Sequence, residues 1–274
     1  MTKLPKILRR CLRAGAILCV APLFFAADNR LTPAEKTAGW RLLFDGHSYA
    51  NWEDPARKSP PGDSFTIEDG CLKAMPHPKI VEDLFTKDLF ADFELEWDWK
   101  ISAAGNSGVK YRIQDHLFLA DQKTPRFEEL VNLSFQPPRP ARRAKGQDYV
   151  IGFEYQMVDN SSNPDAKRGG ALHQAGALYD VEAPSKDATK PAGEFNHSRL
   201  VVRGDRVEHW VNGEKVVDTS LKSPQVAAAM AKRWGEGSQV YKLLVDQPRP
   251  RCPISLQNHG DAAWFKNVKV LELK

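Results

Sequence analysis

Alternation with a period of two dominates this chain. Phe93, Leu95, Trp97 and Trp99 alternate with Glu94, Glu96, Asp98 and Lys100. A strand over 92–100 therefore turns four large apolar side chains to a core and four charges to solvent. The same period recurs in three other stretches. Val109, Tyr111 and Ile113 alternate with Lys110 and Arg112; Phe153, Tyr155 and Met157 alternate with Glu154 and Gln156. Ile254 and Leu256 alternate with Ser255, Gln257 and His259. Each of the three reads as a strand with its back in a core and bonding-capable groups on its front.

Turn residues divide the rest of the chain. Asp69-Gly70 joins apolar runs at 65–68 and 71–75, and Asn212-Gly213 joins 206–211 to 214–218, both two-residue hairpin signals. Further strands are predicted at 40–44, 84–87, 175–179, 195–203 and 263–272, with loops at 51–64 and 160–174. Helix signals are few. Thr32-Pro33-Ala34-Glu35 has the form of a capping box, Thr124-Pro125 opens a short helix through 131, and Ser223-Pro224 opens an alanine-rich helix to about 232. About a dozen short strands with no strand–helix alternation predict an all-β jelly-roll sandwich of two antiparallel sheets with a few short helices. One domain covers 39–274, behind a lead-in segment at 28–38 and with an insertion at 115–148.

The N-terminus is of a different kind. Lys3, Lys6, Arg9, Arg10 and Arg13 precede an apolar run from Ala14 to Ala27, with no acid before Asp28. This is the pattern of a secretory signal peptide over 1–27, cut near Ala26 or Ala27, and it predicts an exported protein, periplasmic or extracellular. The formal net charge of +4 resides in that leader. The remainder is near neutral and carries no sustained basic stripe, so nothing points to nucleic acid, and no membrane segment is left after cleavage. Cys71 and Cys252 remain, an even pair that allows a disulfide in an exported chain.

If the three polar-fronted strands lie side by side, one sheet face collects Glu154, His259, Lys110 and Arg112 together with Gln156 and Gln257. An acid, an imidazole and fixed cations suit a polyol-binding or acid/base site better than a random solvated face. His209, between Val207 and Val211, reads as a core residue. Glu154 and Asp159 fall on opposite faces of a regular strand, which counts against the paired carboxylates of an ordinary glycosidase.

The ordered segments Gly39-Trp40…Leu43-Phe44-Asp45-Gly46, Asn106-Ser107-Gly108-Val109…Arg112 and Gly152-Phe153-Glu154-Tyr155-Gln156…Asp159 resemble the bacterial 3-keto-disaccharide hydrolase family. So do Gly176-Ala177-Leu178-Tyr179…Pro184, Gly193-Glu194-Phe195-Asn196, His209-Trp210-Val211-Asn212-Gly213, Leu256-Gln257-Asn258-His259-Gly260 and Phe265-Lys266-Asn267-Val268. That family is also described as 3-keto-glucoside lyase/2-hydroxy-3-keto-glucal hydratase, and the resemblance covers 39–274. Phe195, Asn258 and Lys266 depart from it, standing where Trp, Asp and Arg are more common.

The resemblance implies a concanavalin-like sandwich and an enzyme that cleaves 3-keto-glycosides. A C3 ketone acidifies C2–H, so a base removes that proton, the C1 oxygen leaves by β-elimination, and water adds to the enone. On this reading His259 transfers protons, Glu154 serves as acid or base, and Arg112 or Lys110 stabilises the enolate. Asn106, Gln156 and Gln257 bond sugar hydroxyls, while Tyr179 and His173 form the rim. Asp159 with loop carbonyls is the candidate ligand for a divalent cation such as calcium. The alternatives are a non-catalytic sugar-binding module of the same fold, and an interaction domain that docks a partner through the helix at 224–233.

Overall fold

In the computed structural model, which describes residues 28–54, 62–120 and 146–274, the alternating stretches become two stacked sheets. The expected leader at 1–27, the helix expected at 124–131 and most of the insertion lie outside the described residues. The short early strands are β1 (Arg41–Leu42), β2 (Trp52–Glu53), β3 (Phe65–Glu68), β4 (Cys71–Ala74), β5 (Ile80–Val81) and β6 (Leu84–Thr86). Longer strands follow: β7 (Phe93–Ile101), β8 (Asn106–Ala120), β9 (Gly146–Val158), β10 (Asn196–Arg203), β11 (Arg206–Val211) and β12 (Glu214–Ser220). β13 (Ser255–Leu256) and β14 (Ala263–Glu272) are the last two. One sheet has the order β12-β11-β10-β7-β14-β4-β3, with β1 beside β14; the other has the order β2-β6-β13-β8-β9-β5. Pairing is antiparallel except where β5 runs parallel to the start of β9.

The core lies between the sheets. Phe93, Leu95, Trp97 and Trp99 on β7 share one buried cluster with Val109 and Tyr111 on β8 and Phe153, Tyr155 and Met157 on β9. Each such side chain contributes about 1.5–3 kcal/mol by leaving water. Trp97 and Tyr155 meet edge-on with ring centres 4.9 Å apart. Polar atoms that enter this layer are mostly matched. The Tyr155 hydroxyl bonds Ser198 Oγ at 2.8 Å, and Trp99 Nε1 donates to the same oxygen at 2.8 Å. His209 is in the core, as its neighbours Val207 and Val211 predicted. Its Nδ1 lies 3.0 Å from the Gly176 carbonyl and its Nε2 lies 3.0 Å from the Tyr111 hydroxyl. The ring is neutral, donating to the carbonyl and accepting from the phenol. Burial holds its pKa down at about 4.

Both predicted two-residue hairpins form. Asp69 and Gly70 have φ of 49° and 71°, and Asn212 and Gly213 have φ of 49° and 85°, which Asn, Asp and Gly tolerate best. The capping box also forms, opening α1 (Pro33–Ala38). Several local expectations change, beginning with the loop predicted at 51–64, which holds β2. The loop predicted at 160–174 contains α2 (Pro164–Gly169) and a 3-10 turn (Gly170–His173), because the Asn163 side chain caps Asp165 and Ala166 and Pro164 occupies the first turn. The strand predicted at 175–179 joins no sheet; Leu178 makes isolated bridges to Tyr155 and Glu182. The ends of the insertion are hairpin, since β8 continues to Ala120 and β9 begins at Gly146.

The helix opened by Ser223-Pro224 is α3 (Pro224–Trp234), followed by α4 (Gln239–Tyr241) and a π turn at Lys242–Asp246. Val226, Met230 and Trp234 of α3 are buried against the body. That helix therefore presents no free apolar stripe for a partner. Cys71 and Cys252 are free and buried rather than paired. Burial pushes both thiols up. Among the described residues no helix is long and apolar enough to cross a membrane.

Candidate active site

The three polar-fronted strands are neighbours: β13, β8 and β9 run side by side. Ser255 pairs with Lys110, and Lys110 pairs with Glu154, so these three form one row across the sheet. In the next row Gln257 N donates to Gly108 O at 2.9 Å, and Gly108 pairs with Gln156. Gly108 leaves the middle of that row without a side chain. A Cβ there would lie 2.6 Å from Glu154 Oε1 and 3.0 Å from its Cγ. The carboxyl group thus leans into a notch that only glycine leaves open.

The face opens into a cavity of about 210 Å³, whose floor includes Asn106, Lys110, Glu154, Gln156 and Gln257, with His259 at the mouth. Three floor atoms are buried and make no hydrogen bond among the described residues: Asn106 Oδ1, Gln156 Nε2 and Gln257 Oε1. Their residues are 4 %, 1 % and 5 % exposed. A buried polar atom left unpaired costs roughly 1–3 kcal/mol, so three in one cavity leave hydrogen-bonding capacity open to whatever enters it.

Charge is fixed in the same floor. Lys110 Nζ lies 3.2 Å from Asp83, which also accepts from Ser255 Oγ at 2.9 Å. Burial opposes the Lys110 charge, but Asp83 and Glu154 outweigh it and hold the ammonium protonated. At Glu154 burial prevails. Burial raises its pKa above the ordinary carboxylate range, and Lys110, His259 and Arg233 only partly offset this. A carboxylate made more basic beside a permanent cation is suited to taking a proton from carbon and holding the charge that develops.

The wall comes from connections rather than strands. The segment before Tyr179 hydrogen-bonds along β9: Gly176 N to Gln156 O at 2.8 Å, Gln156 N to Ala177 O at 3.1 Å, and Tyr179 N to Glu154 O at 3.0 Å. This sets the Tyr179 ring beside Glu154. The end of α3 brings Arg233 and Trp234, with Tyr149 of β9 edge-on to Trp234 at 6.0 Å. The Arg233 guanidinium lies 5.1 Å from the ring centres of both Tyr179 and Trp234. Arg233, Trp234 and Tyr149 escaped the sequence reading. The available signal was a basic–aromatic pair immediately before Gly235, at the end of an otherwise bland helix.

Of the residues singled out from sequence, Asn106, Lys110, Glu154, Gln156, Tyr179, Gln257 and His259 line this one cavity. Arg112 does not join them. β8 has a bulge between Tyr111 and Asp115, and Arg112 has φ of 50°, so the alternation breaks at this position. The guanidinium instead donates to the Pro250 and Gly204 carbonyls and borders a separate cavity of about 290 Å³. His173 stands behind Tyr179, its ring tilted against the phenol with centres 4.4 Å apart, and does not line the cavity. Asp159 does not fit a cation site. Its Oδ1 accepts from Ser161 N, Ser161 Oγ and Ser162 N, and its Oδ2 accepts from Ala104 N. Asn258 is fully buried, donating to the Ser64 and Met75 carbonyls. An amide serves there where an acid could not donate.

Residues 39–271 match the family described as 3-keto-alpha-glucoside-1,2-lyase-like domain. The 3-keto-disaccharide hydrolase of Bacteroides thetaiotaomicron is 30% identical over 252 residues, a span covering 85% of this chain and 78% of that protein. A Parabacteroides distasonis protein provisionally assigned as a glycosyl hydrolase superposes with a TM-score of 0.67 at 26% identity, covering 90% of this chain and 100% of that one. A second from the same organism, at 22% identity and a TM-score of 0.57, covers 85% of this chain and 99% of its own and shares the fold.

Proposed function

The chain belongs to the 3-keto-alpha-glucoside-1,2-lyase-like family, and from that premise we propose that it cleaves 3-keto-glycosides, 3-keto-disaccharides among them, by elimination and rehydration. The observation that carries the reading is the set of three buried amide atoms, Asn106 Oδ1, Gln156 Nε2 and Gln257 Oε1, without a partner among the described residues, in the cavity that Glu154 and Lys110 also line. A 3-keto sugar ring offers the hydroxyls and the carbonyl that would complete them.

In the first step the Glu154 carboxylate takes the C2 proton. The electron pair moves into the C2–C3 bond and onto the C3 oxygen, giving an enolate. Lys110 and the Gln156 amide supply positive charge and a donor to that oxygen, which is worth most where water is excluded. The enolate collapses, the C1–O bond breaks, and His259 at the mouth protonates the departing oxygen. His259, left without that proton, takes one from a water as its oxygen adds to C1 of the enone, and Glu154 returns its proton to C2. The net change is hydrolysis, reached without an oxocarbenium ion and without a second carboxylate. The basic and apolar leader pattern at 1–27 supports export and, with it, a reaction outside the cytoplasm.

The test is incubation of the purified protein with a 3-keto-disaccharide, following release of the second sugar. Glu154→Gln and His259→Ala each lower turnover by about 10²–10⁴-fold while the protein stays folded. A sugar that binds but is not cleaved by the unaltered protein would reduce the reading to a binding module.

A further inference from the structure

We propose that His173 is a positioning residue for this site, bracing the Tyr179–Arg233 wall from behind; the inference rests on the sugar-site reading above. Tyr179 and Arg233 both border the cavity, and each is held by a carboxylate that does not. The Tyr179 hydroxyl donates to Asp165 Oδ2 at 2.9 Å, and Arg233 donates to Asp180 Oδ2 at 2.9 Å. His173 touches both anchors. Its Nδ1 lies 3.1 Å from the same Asp165 Oδ2, and its Nε2 lies 3.4 Å from Asp180 Oδ1. Its ring also packs against that of Tyr179, tilted by 38° with ring centres 4.4 Å apart. One imidazole thus joins the acceptor of the phenol to the acceptor of the guanidinium.

The local chain is shaped around that ring. A Cβ at Gly169 would lie 2.0 Å from the imidazole, so residue 169 leaves space for His173 to stand where it does. Arg168 also lies near Asp165, but its side chain is 78% exposed and 3.7 Å away. An ion pair that open to solvent fixes little. Without His173, Asp165 and Asp180 would share no donor, and the Tyr179 ring would lose the surface behind it. The phenol and the guanidinium would then sample orientations that the cavity does not use. His173 contacts neither Glu154 nor Lys110, so its removal acts on how the sugar is held and spares the proton transfer.

His173→Leu keeps bulk against Tyr179 and removes both ring nitrogens that face the carboxylates; His173→Gln keeps a donor for one side. With a 3-keto-disaccharide, the Leu variant raises KM about tenfold and the Gln variant raises it less, with kcat nearly unchanged. An unchanged KM in folded His173→Leu overturns the proposal. So does a loss of kcat in step with a loss of thermal stability in both variants, which is the signature of a merely structural residue. Calorimetric affinity for the same sugar, comparing Glu154→Gln with the Glu154→Gln/His173→Leu pair, reads the brace without turnover. An inactive wild type that still loses affinity through His173 would sink the reaction and leave the brace standing.

Discussion

Gly108→Ala tests the arrangement most sharply, because it separates activity from stability. The added methyl group would sit 2.6 Å from Glu154 Oε1 and 3.0 Å from Glu154 Cγ. Carbon and its neighbours need about 3.5 Å, so the carboxyl group must retreat by about 1 Å. Glu154 is long and partly open to the cavity, and it rotates out of the notch at little cost to folding. Alanine is also the better strand residue, which returns roughly 0.5–1 kcal/mol relative to glycine. The melting temperature should therefore hold or rise slightly. Catalysis should not hold. A base displaced by about 1 Å from its reacting C–H costs about 10²-fold in kcat/KM, or about 2.7 kcal/mol of transition-state stabilisation. The assay is kcat/KM on a 3-keto-disaccharide beside a thermal melt, for Gly108→Ala, Glu154→Gln and the double variant. If the methyl acts only through the carboxyl group, the double variant is no slower than Glu154→Gln alone. A folded Gly108→Ala protein with wild-type kcat/KM, or a double variant in which the two losses add, would refute the reasoning.

Three further outcomes follow from the same geometry. Glu154 must be ionised to act as a base and burial raises its pKa, so kcat/KM falls on acidification through a limb above the ordinary carboxylate range; a pH–rate profile with its limb at or below that range contradicts this. His209 is held at about 4 when folded against 6.5 for free imidazole, so its contribution is complete above about pH 6.5 and is lost as pH falls toward 4. The loss amounts to about 3 kcal/mol, measured as the difference in pH dependence between wild type and His209→Gln in denaturant titrations, and parallel curves would rule it out. Arg112→Met leaves the Pro250 and Gly204 carbonyls without their donor and lowers stability by about 1–3 kcal/mol with kcat/KM little changed; a folded variant with turnover down by orders of magnitude would return Arg112 to the chemistry.

The floor of the cavity was legible because it is written in strands. Period two assigns Glu154 and Gln156 to one face, and the same rule assigns Lys110, Gln257 and His259. Only adjacency of the strands had to be supplied, and the sheet order supplies it. Arg112 was misplaced for a reason no alternation shows: it lies inside a bulge, between the register partners Tyr111 and Asp115 and at a φ of 50°, where the side chain no longer follows the face its neighbours predict. The wall was hidden for a different reason. Arg233 and Trp234 end a helix whose pattern reports only that Val226 and Met230 face inward. Asp165 and His173 sit in a short capped helix and turn whose direction depends on tertiary contacts. The buried amides were legible as polar residues, but their lack of partners is a property of three dimensions.

The run from Gly176 to Tyr179 lies along the border of β9 where β5 no longer covers it. Those backbone groups would otherwise be free to recruit a strand from another molecule. Ligand wall and guard against edge-on association are therefore one piece of chain. Any change that loosens it to admit a bulkier glycoside also bares a sticky margin, so broader substrate range and solubility are expected to trade against each other here.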